Sequence, residues 1–382
     1  MSTAISADHE LLISTVRDFA RGELLELDRR CDHAETSCCG RLEPLYAMGL
    51  LGLRVDEAHG GIDCPTLPYA HIIREVAYAS PAFAVTIGVH NMVCEAIARY
   101  GRPELLDEML PRLVVPDNLS AFAISEPDAG SDPSSATTRA ERISGGWRLF
   151  GNKLWVTNGL TGRWFIVLAR ASDAPAGRRD HSMFLLDARQ DAVHREAIKG
   201  KMGIRGSETA EMRLEGAFVP EGHLLGQIGE GLKIALSALD GGRIGIASQA
   251  IGISAACLDE MIAYAQTRRQ FNRPIADFQA IQWMVADSKT ELDASQLLVD
   301  RAAELKDRGE RFTREASIAK LFASEAANRI AYRAVQVFGG SGFVNDCRVE
   351  QLYRDARITT IYEGTSEIQR LVIARELLRP GA

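Results

Sequence analysis

Tyr362-Glu363-Gly364-Thr365-Ser366 runs into Glu367-Ile368-Gln369-Arg370-Leu371-Val372-Ile373-Ala374-Arg375, and the join between these two pieces is the most informative point in the chain. The second piece reads as a helix. Ser366 with Gln369 three residues on fits a capping box, and Ile368, Leu371, Val372 and Arg375 recur at helical spacing. Glu363 then falls just before the helix, on a bend that Gly364 allows. Its upstream neighbours Ile361 and Tyr362 are apolar. A carboxylate in such surroundings resists ionisation, so its pKa can rise toward neutrality and suit a general base. A surface glutamate favoured by the helix dipole explains the same local pattern. The stretch alone leaves both open.

The whole chain sets the frame. Its 382 residues suffice for two or three domains, and 46% apolar with 25% charged residues is ordinary for a globular enzyme. A net charge of −7 without a Lys/Arg block argues against a nucleic-acid or anionic-membrane surface. Seven scattered cysteines, none in a Cys-x-x-Cys pair, suggest neither a disulfide framework nor a zinc or redox site, and no metal-ligand set is expected. Met1–Asp8 lacks the features of a signal peptide or presequence, and no apolar run has the length and purity of a membrane span. A cytoplasmic protein of a reducing compartment is expected.

Periodicity divides the chain. Leu12, Val16, Phe19 and Leu24 suit an opening helix; Leu42, Leu45 and Met48 a second. Leu67–Ala79 and Phe83–Tyr100 follow, the latter apolar nearly all round, as in a buried helix. His90 and Asn91 within it are read as hydrogen-bonded core residues, with the alternative that they and Val89 floor a ligand pocket. From Ala121 to about Val219 short β-type runs take over: Trp147–Phe150, Leu154–Thr157, Phe165–Leu168, Met183–Leu186 and Met212–Leu214. Gly151-Asn152 reads as a hairpin turn and Ala174–Gly177 as a loop. With no long helices between the strands, a small barrel or sandwich is expected. Long helical patterns return at Ile244–Ala265, Phe278–Leu305 and Ala316–Phe338. The fold class is therefore mostly α with a central β-domain: a helical domain (1–118), a β-domain (119–225) and a helical bundle (226–382).

The dinucleotide Gly-x-Gly-x-x-Gly, the P-loop, His-Glu-x-x-His and Gly-x-Ser-x-Gly are missing from the sequence. Phe122-Ala123-Ile124-Ser125-Glu126-Pro127-Asp128-Ala129-Gly130-Ser131-Asp132 sets hydroxyls and backbone N–H groups on a strand end and its loop. Such donors can hold an electron-rich heterocycle, or they can make an ordinary turn.

Tyr353-Arg354-Asp355-Ala356-Arg357-Ile358 together with Ile361–Arg370 resembles the C-terminal signature of the acyl-CoA dehydrogenases, closest to their short-chain, butyryl-CoA branch. At least five separated motifs, from about Leu11 to Leu378, carry the likeness. It implies the three-domain fold of that family, with a C-terminal four-helix bundle. It also implies FAD, α,β-dehydrogenation of an acyl-CoA in fatty-acid β-oxidation, an electron-transferring flavoprotein as acceptor, and a homotetramer built as a dimer of dimers. By the same resemblance, Glu363 is the α-proton base, and its N–H with a ribityl hydroxyl of FAD receives the thioester carbonyl. Phe122, Ile124, Ser125, Ser131, Trp155, Val156, Thr157, Thr365 and Glu367 fall in flavin-contacting positions. Arg268, Gln270, Phe271 and Gln279, with Gln336, Val337, Gly339 and Gly340, fall where relatives hold the pyrophosphate and adenosine of a neighbouring subunit's FAD. Ser131, Asp240, Arg243, Tyr362 and Gly364 fall along the substrate. Some branches take their base from the position of Gly242, which here cannot serve. A carrier-tethered acyl or aminoacyl substrate, a flavin oxidase and a non-enzymatic binding protein on the same scaffold are the alternatives.

Overall fold

The computed structural model describes residues 5–174 and 180–379. Pro175–Gly177 of the expected loop and Met1–Ala4 lie outside them. Among the described residues six α-helices come first: α1 (Ala7–Phe19), α2 (Leu25–Ala34), α3 (Glu43–Ala47), α4 (Thr66–Ala79), α5 (Pro81–Tyr100) and α6 (Pro103–Leu113). The opening segment is not one helix. A five-residue π-turn, Ala20–Leu24, separates α1 from α2. The start of α5 is written in Ser80-Pro81, where Ser80 accepts from the N–H of Phe83 and Pro81 fills the first turn. His90 and Asn91 are wholly buried and satisfied. His90 Nε2 meets the carbonyl of Leu113 at 3.1 Å and its Nδ1 accepts from Ser120 N at 3.0 Å, while Asn91 bonds the carbonyls of Leu50 and Ile87 and the N–H of Arg54. They are core residues, and burial pushes His90 down to about 4, so the ring is neutral.

Eight strands follow: β1 (Ser120–Ala123), β2 (Arg139–Ile143), β3 (Gly146–Thr157), β4 (Trp164–Ala171), β5 (His181–Asp187), β6 (Val193–Ala197), β7 (Thr209–Pro220) and β8 (Leu224–Leu225). They form one sheet ordered β6-β7-β3-β2-β4-β5-β8, with β1 added against β4. β4 pairs in parallel with β1 and β2, and the other pairings are antiparallel. Both faces of β4 are covered: Phe165 and Val167 join Phe184 and Leu214, while Ile166 and Leu168 join Met183, Val93 and Leu110. That double burial explains its uninterrupted apolar run. The expected hairpin at Gly151-Asn152 does not exist, because β3 runs straight through it against β7. Gly151 is there for closeness: a Cβ would sit 2.5 Å from Thr138 Oγ1, and φ is +149°.

Five helices close the chain: α7 (Gly231–Thr267), α8 (Gln279–Asp307), α9 (Thr313–Phe338), α10 (Arg348–Ile358) and α11 (Ser366–Leu377). Alanines at 316, 319, 323 and 326 form the buried face of α9 and let it lie close to α7 and α8 in a shared core. Contrary to the sequence reading, α5 and α7 are both long and apolar enough to cross a membrane by length and composition. Their apolar windows are 78% and 72% buried inside the fold, so interior packing accounts for them.

Candidate active site

α10 and α11 are joined by a turn in which Glu363 (φ +53°) and Gly364 (φ +90°) are both left-handed. For a glutamate this conformation costs about 1–2 kcal/mol, so the surroundings must impose it. They do so through the two carbonyls. Lys320 Nζ donates to the Gly364 carbonyl at 2.7 Å, and Gln369 Nε2 donates to those of Glu363 (3.1 Å) and Gly364 (2.9 Å). The cap differs from the sequence reading by one residue. Thr365, not Ser366, accepts from Ile368 N, and Gln369 reaches back to the turn instead of closing a capping box. The buried residues of α11 are polar (Ser366, Gln369, Glu376), whereas Leu371 is exposed. Holding the turn, not an apolar seam, decides how this helix sits.

The Glu363 side chain points at α7. A Cβ on Gly242 would stand 2.7 Å from Glu363 Oε2 and 3.2 Å from Met92 Sδ, so only glycine leaves this room. Oε2 is enclosed and has no hydrogen-bond partner. Burial pushes Glu363 up to about 7, against the pull of Arg243 and Lys320. Arg243 does not face outward. It is buried, with Nη1 bonded to Asp240 Oδ1 (2.6 Å) and Ser317 Oγ (3.1 Å), and Asp240 also accepts from Thr313 (2.7 Å). Beside the carboxylate lies a cavity between α4, α5 and α7, and Val89 lines it while His90 and Asn91 do not. The Tyr362 hydroxyl donates to Gln249 Oε1, whose amide donates to the Pro81 carbonyl at 2.8 Å. Tyr362 also packs with Phe122, Val85, Val89 and Ile204, which brings the end of β1 against the Glu363 turn.

The loop after β1 is welded to β3 by a pair that the sequence reading missed. Glu126, itself buried, accepts from Lys153 Nζ at 2.8 Å and from Thr137 N, Thr137 Oγ1 and Thr138 N. Lys153 Nζ also reaches the Ile124 carbonyl at 3.2 Å. A lysine between Gly151 and Trp155 on a strand was the available signal. Next to it β3 bulges. Trp155 takes a left-handed φ of +61° and stands 60% exposed, so it is not a core residue. Val156 turns its side chain into the sheet core, leaving only its backbone for a ligand. Asn158 bonds the carbonyls of Thr86 and Ser120, fixing this corner to α5 and β1.

Models of the N-terminal, middle and C-terminal domains of acyl-CoA dehydrogenase match residues 6–115, 121–217 and 229–378. The chain belongs to the acyl-CoA dehydrogenase family. It is 39% identical to the human mitochondrial short-chain specific acyl-CoA dehydrogenase over 99% of this chain and 92% of that protein. Butyryl-CoA dehydrogenase of Megasphaera elsdenii has the same fold, with a TM-score of 0.95 and 34% identity over 99% of this chain and all of the other. A glutaryl-CoA dehydrogenase of Mycobacterium smegmatis in complex with FADH2 superposes with a TM-score of 0.92 at 28% identity, over 99% and 96% of the two chains.

Acyl-CoA dehydrogenases are flavin-dependent oxidoreductases that bind FAD, and the residues here fit it. Ser125 and Thr157 are half-buried, and their hydroxyls bond no described residue. The Ser125 carbonyl accepts from Leu154 N at 2.9 Å, which sets Ser125 beside the strand segment that carries Thr157 and the exposed Trp155. Ser131 and Glu367 are exposed nearby in sequence, and Thr365 is committed to its cap. The other expected cofactor segments lie elsewhere. Arg268 follows the end of α7, about 38 Å along the helix from Gly242. There the chain turns back as a ribbon, Arg269–Gln270 against Arg273–Pro274, with Phe271 86% exposed at its tip. Tyr264 stacks on Phe338 at 4.1 Å, bringing Gln336, Gly339 and Gly340 to the same end, while Val337 is buried. Arg268, Gln270, Gln279 and Gln336 are all exposed. The chain therefore carries two separated halves of the expected FAD contacts.

Proposed function

We propose that this acyl-CoA dehydrogenase converts a short-chain acyl-CoA to its trans-2-enoyl-CoA, with Glu363 taking the α proton. The observation that carries this reading is Glu363 Oε2, enclosed and without a hydrogen bond, on a carboxyl raised to about 7 at the edge of a cavity. A base poised near neutrality is ionised at working pH and still binds the proton it removes. The Glu363 N–H makes no backbone hydrogen bond, so it is free to donate to the thioester carbonyl as enolate charge develops. Lys320 and Gln369 keep that N–H aimed by holding the carbonyls of the turn. Arg243 and Lys320 favour the carboxylate without touching it, which leaves its oxygens free for the substrate proton. Ser125, Thr157 and Trp155 would hold FAD, which supplies the acceptor for the β-hydride. Phe122 and Tyr362 exclude water from the junction between the two sites.

The exposed Arg268–Phe271 ribbon and the Gln336–Gly340 segment support a homotetramer in which they complete a neighbour's FAD site. An electron-transferring flavoprotein is the acceptor we assign, and seven free thiols fit a cytoplasmic location. Anaerobic titration of the holoenzyme with butyryl-CoA tests the reaction. Bleaching of the visible flavin band is expected, and a band unchanged by every acyl-CoA offered would contradict it.

A further inference from the structure

The cavity beside Glu363 has a polar end for which α,β-dehydrogenation has no use. On α5 its wall is Val85, Gly88, Met92 and Glu95 on successive turns, and on α7 it is Gly245, Gly242 and Gly241. The glycines hollow it out. Glu363 Oε2 approaches the Cβ position of Gly242 to 2.7 Å, and Lys306 Nζ approaches that of Gly241 to 2.9 Å. Gly241 and Gly242 are chain neighbours, so base and ammonium approach the cavity at adjacent positions of α7.

The groups at this end are not fully engaged. Lys306 Nζ bonds Glu95 at 2.6 and 2.9 Å, which leaves a third N–H, and Arg54 Nη2 reaches the same carboxylate at 3.3 Å. Asp307, the other nearby acid, is spent on the N–H groups of Thr66 (2.6 Å) and Leu67 (2.9 Å) at the start of α4. Arg54 and Lys306 are thus balanced by Glu95 and Asp307, and what remains over is the third Lys306 N–H. Thr66 Oγ1 is buried without a partner and lines the cavity. Tyr69 is 8% exposed, and its hydroxyl bonds no described residue. It lies 4.0 Å from the Cβ position of Gly88 and 3.8 Å from that of Gly245, over the middle of the cavity. A purely alkyl tail would leave both hydroxyls and that N–H unsatisfied, which opposes its binding.

We propose that this pocket takes an acyl-CoA whose short acyl chain ends in a hydrogen-bond acceptor, received by Tyr69, Thr66 and the Arg54–Lys306 pair. The proposal rests on the dehydrogenase reading with Glu363 as base. A terminal carboxylate would use the third Lys306 N–H, and a terminal hydroxyl or carbonyl would use the Tyr69 phenol. Both are one chemistry, and matched substrates separate them.

The test measures flavin bleaching in the anaerobic holoenzyme with three sets of C4–C6 CoA thioesters of equal length: plain acyl, ω-hydroxyacyl and ω-carboxyacyl. At one length or more, a polar-ended thioester should half-saturate bleaching at a concentration lower than its plain counterpart by roughly tenfold or more. A carboxylate optimum identifies the cations as the receptor, and a hydroxyl optimum identifies Tyr69. Tyr69→Phe should shrink the ratio between polar-ended and plain substrates. Tighter binding of the plain chain at every length, or a ratio untouched by Tyr69→Phe and by Lys306→Met alike, overturns the proposal and leaves the dehydrogenase standing. Bleaching by none of the three sets overturns the dehydrogenase reading itself.

Discussion

Glu126 and Glu363 are both glutamates withdrawn from water with cations near them, and they end at opposite extremes. Glu126 accepts four hydrogen bonds, one of them from Lys153, so although burial opposes ionisation the pair holds it down at about 2. Glu363 feels Arg243 and Lys320 at a distance, but its Oε2 accepts nothing, and burial wins, at about 7. The difference lies in where the cations spend their donors. Lys153 gives its protons to the carboxylate itself, whereas Lys320 gives one to the Gly364 carbonyl and Arg243 gives its own to Asp240 and Ser317. A satisfied carboxylate is a weld; an unsatisfied one beside a cavity is suited to act as a base.

The contrast can be broken most severely by Glu363→Gln. Turnover should fall by about 10³-fold or more, with the flavin band and thioester binding retained. Stopped-flow flavin reduction checks this, and wild-type turnover in the variant would place the base elsewhere. Lys153→Met attacks the other member. It strands a buried carboxylate and should cost about 3–5 kcal/mol of stability, read as a lowered thermal midpoint of the holoenzyme.

Stability against pH sharpens the comparison, because the two acids act with opposite signs. The folded pKa of Glu363 lies above its unfolded value, so its cost is absent below about 4.5 and complete above about 7. Glu363→Gln should therefore stabilise the protein by about 3 kcal/mol at pH 8 and by little at pH 4.5. Glu126 is depressed, so its contribution is present above its unfolded pKa and lost as pH falls toward about 2. Denaturant titrations at the two pH values would show both trends. The mildest change is Lys320→Met. It removes one of the charges that favour the Glu363 carboxylate and should move the pH midpoint of flavin reduction upward; a midpoint that stays put would mean that Lys320 acts only on the backbone turn.

Much of this was legible in the sequence, and the misses have physical causes. The helical–β–helical order showed in the periodicity, and so did the bodies of α4 and α5, though their starts at Thr66 and Pro81 lie one and two residues before those expected. Glu363 stood out because a bend and a helix start flank it. Gly151-Asn152 misled because glycine marks close approach as readily as a turn, and which one applies depends on Thr138, a distant neighbour. Lys320, Lys153 and Lys306 were missed for a related reason. A lysine on an alanine-lined helix face or inside a strand is visible as an oddity, but its partner at Gly364, Glu126 or Glu95 is set by packing. His90 and Asn91 proved to be core and not pocket floor, whereas the polar groups that line the cavity come from α4, α5, α8 and the segment before α4.

The central claim is that Glu363 takes the α proton with a pKa near neutrality. Rates of anaerobic flavin reduction by butyryl-CoA, measured from about pH 5.5 to 8.5 in the wild type and in Glu363→Gln, test it most directly. The wild-type rate should climb with pH and level off above about 7, where the carboxylate is fully formed, while the variant stays slow and flat. A wild-type profile flat through that range, or a variant with the same rise, would contradict it.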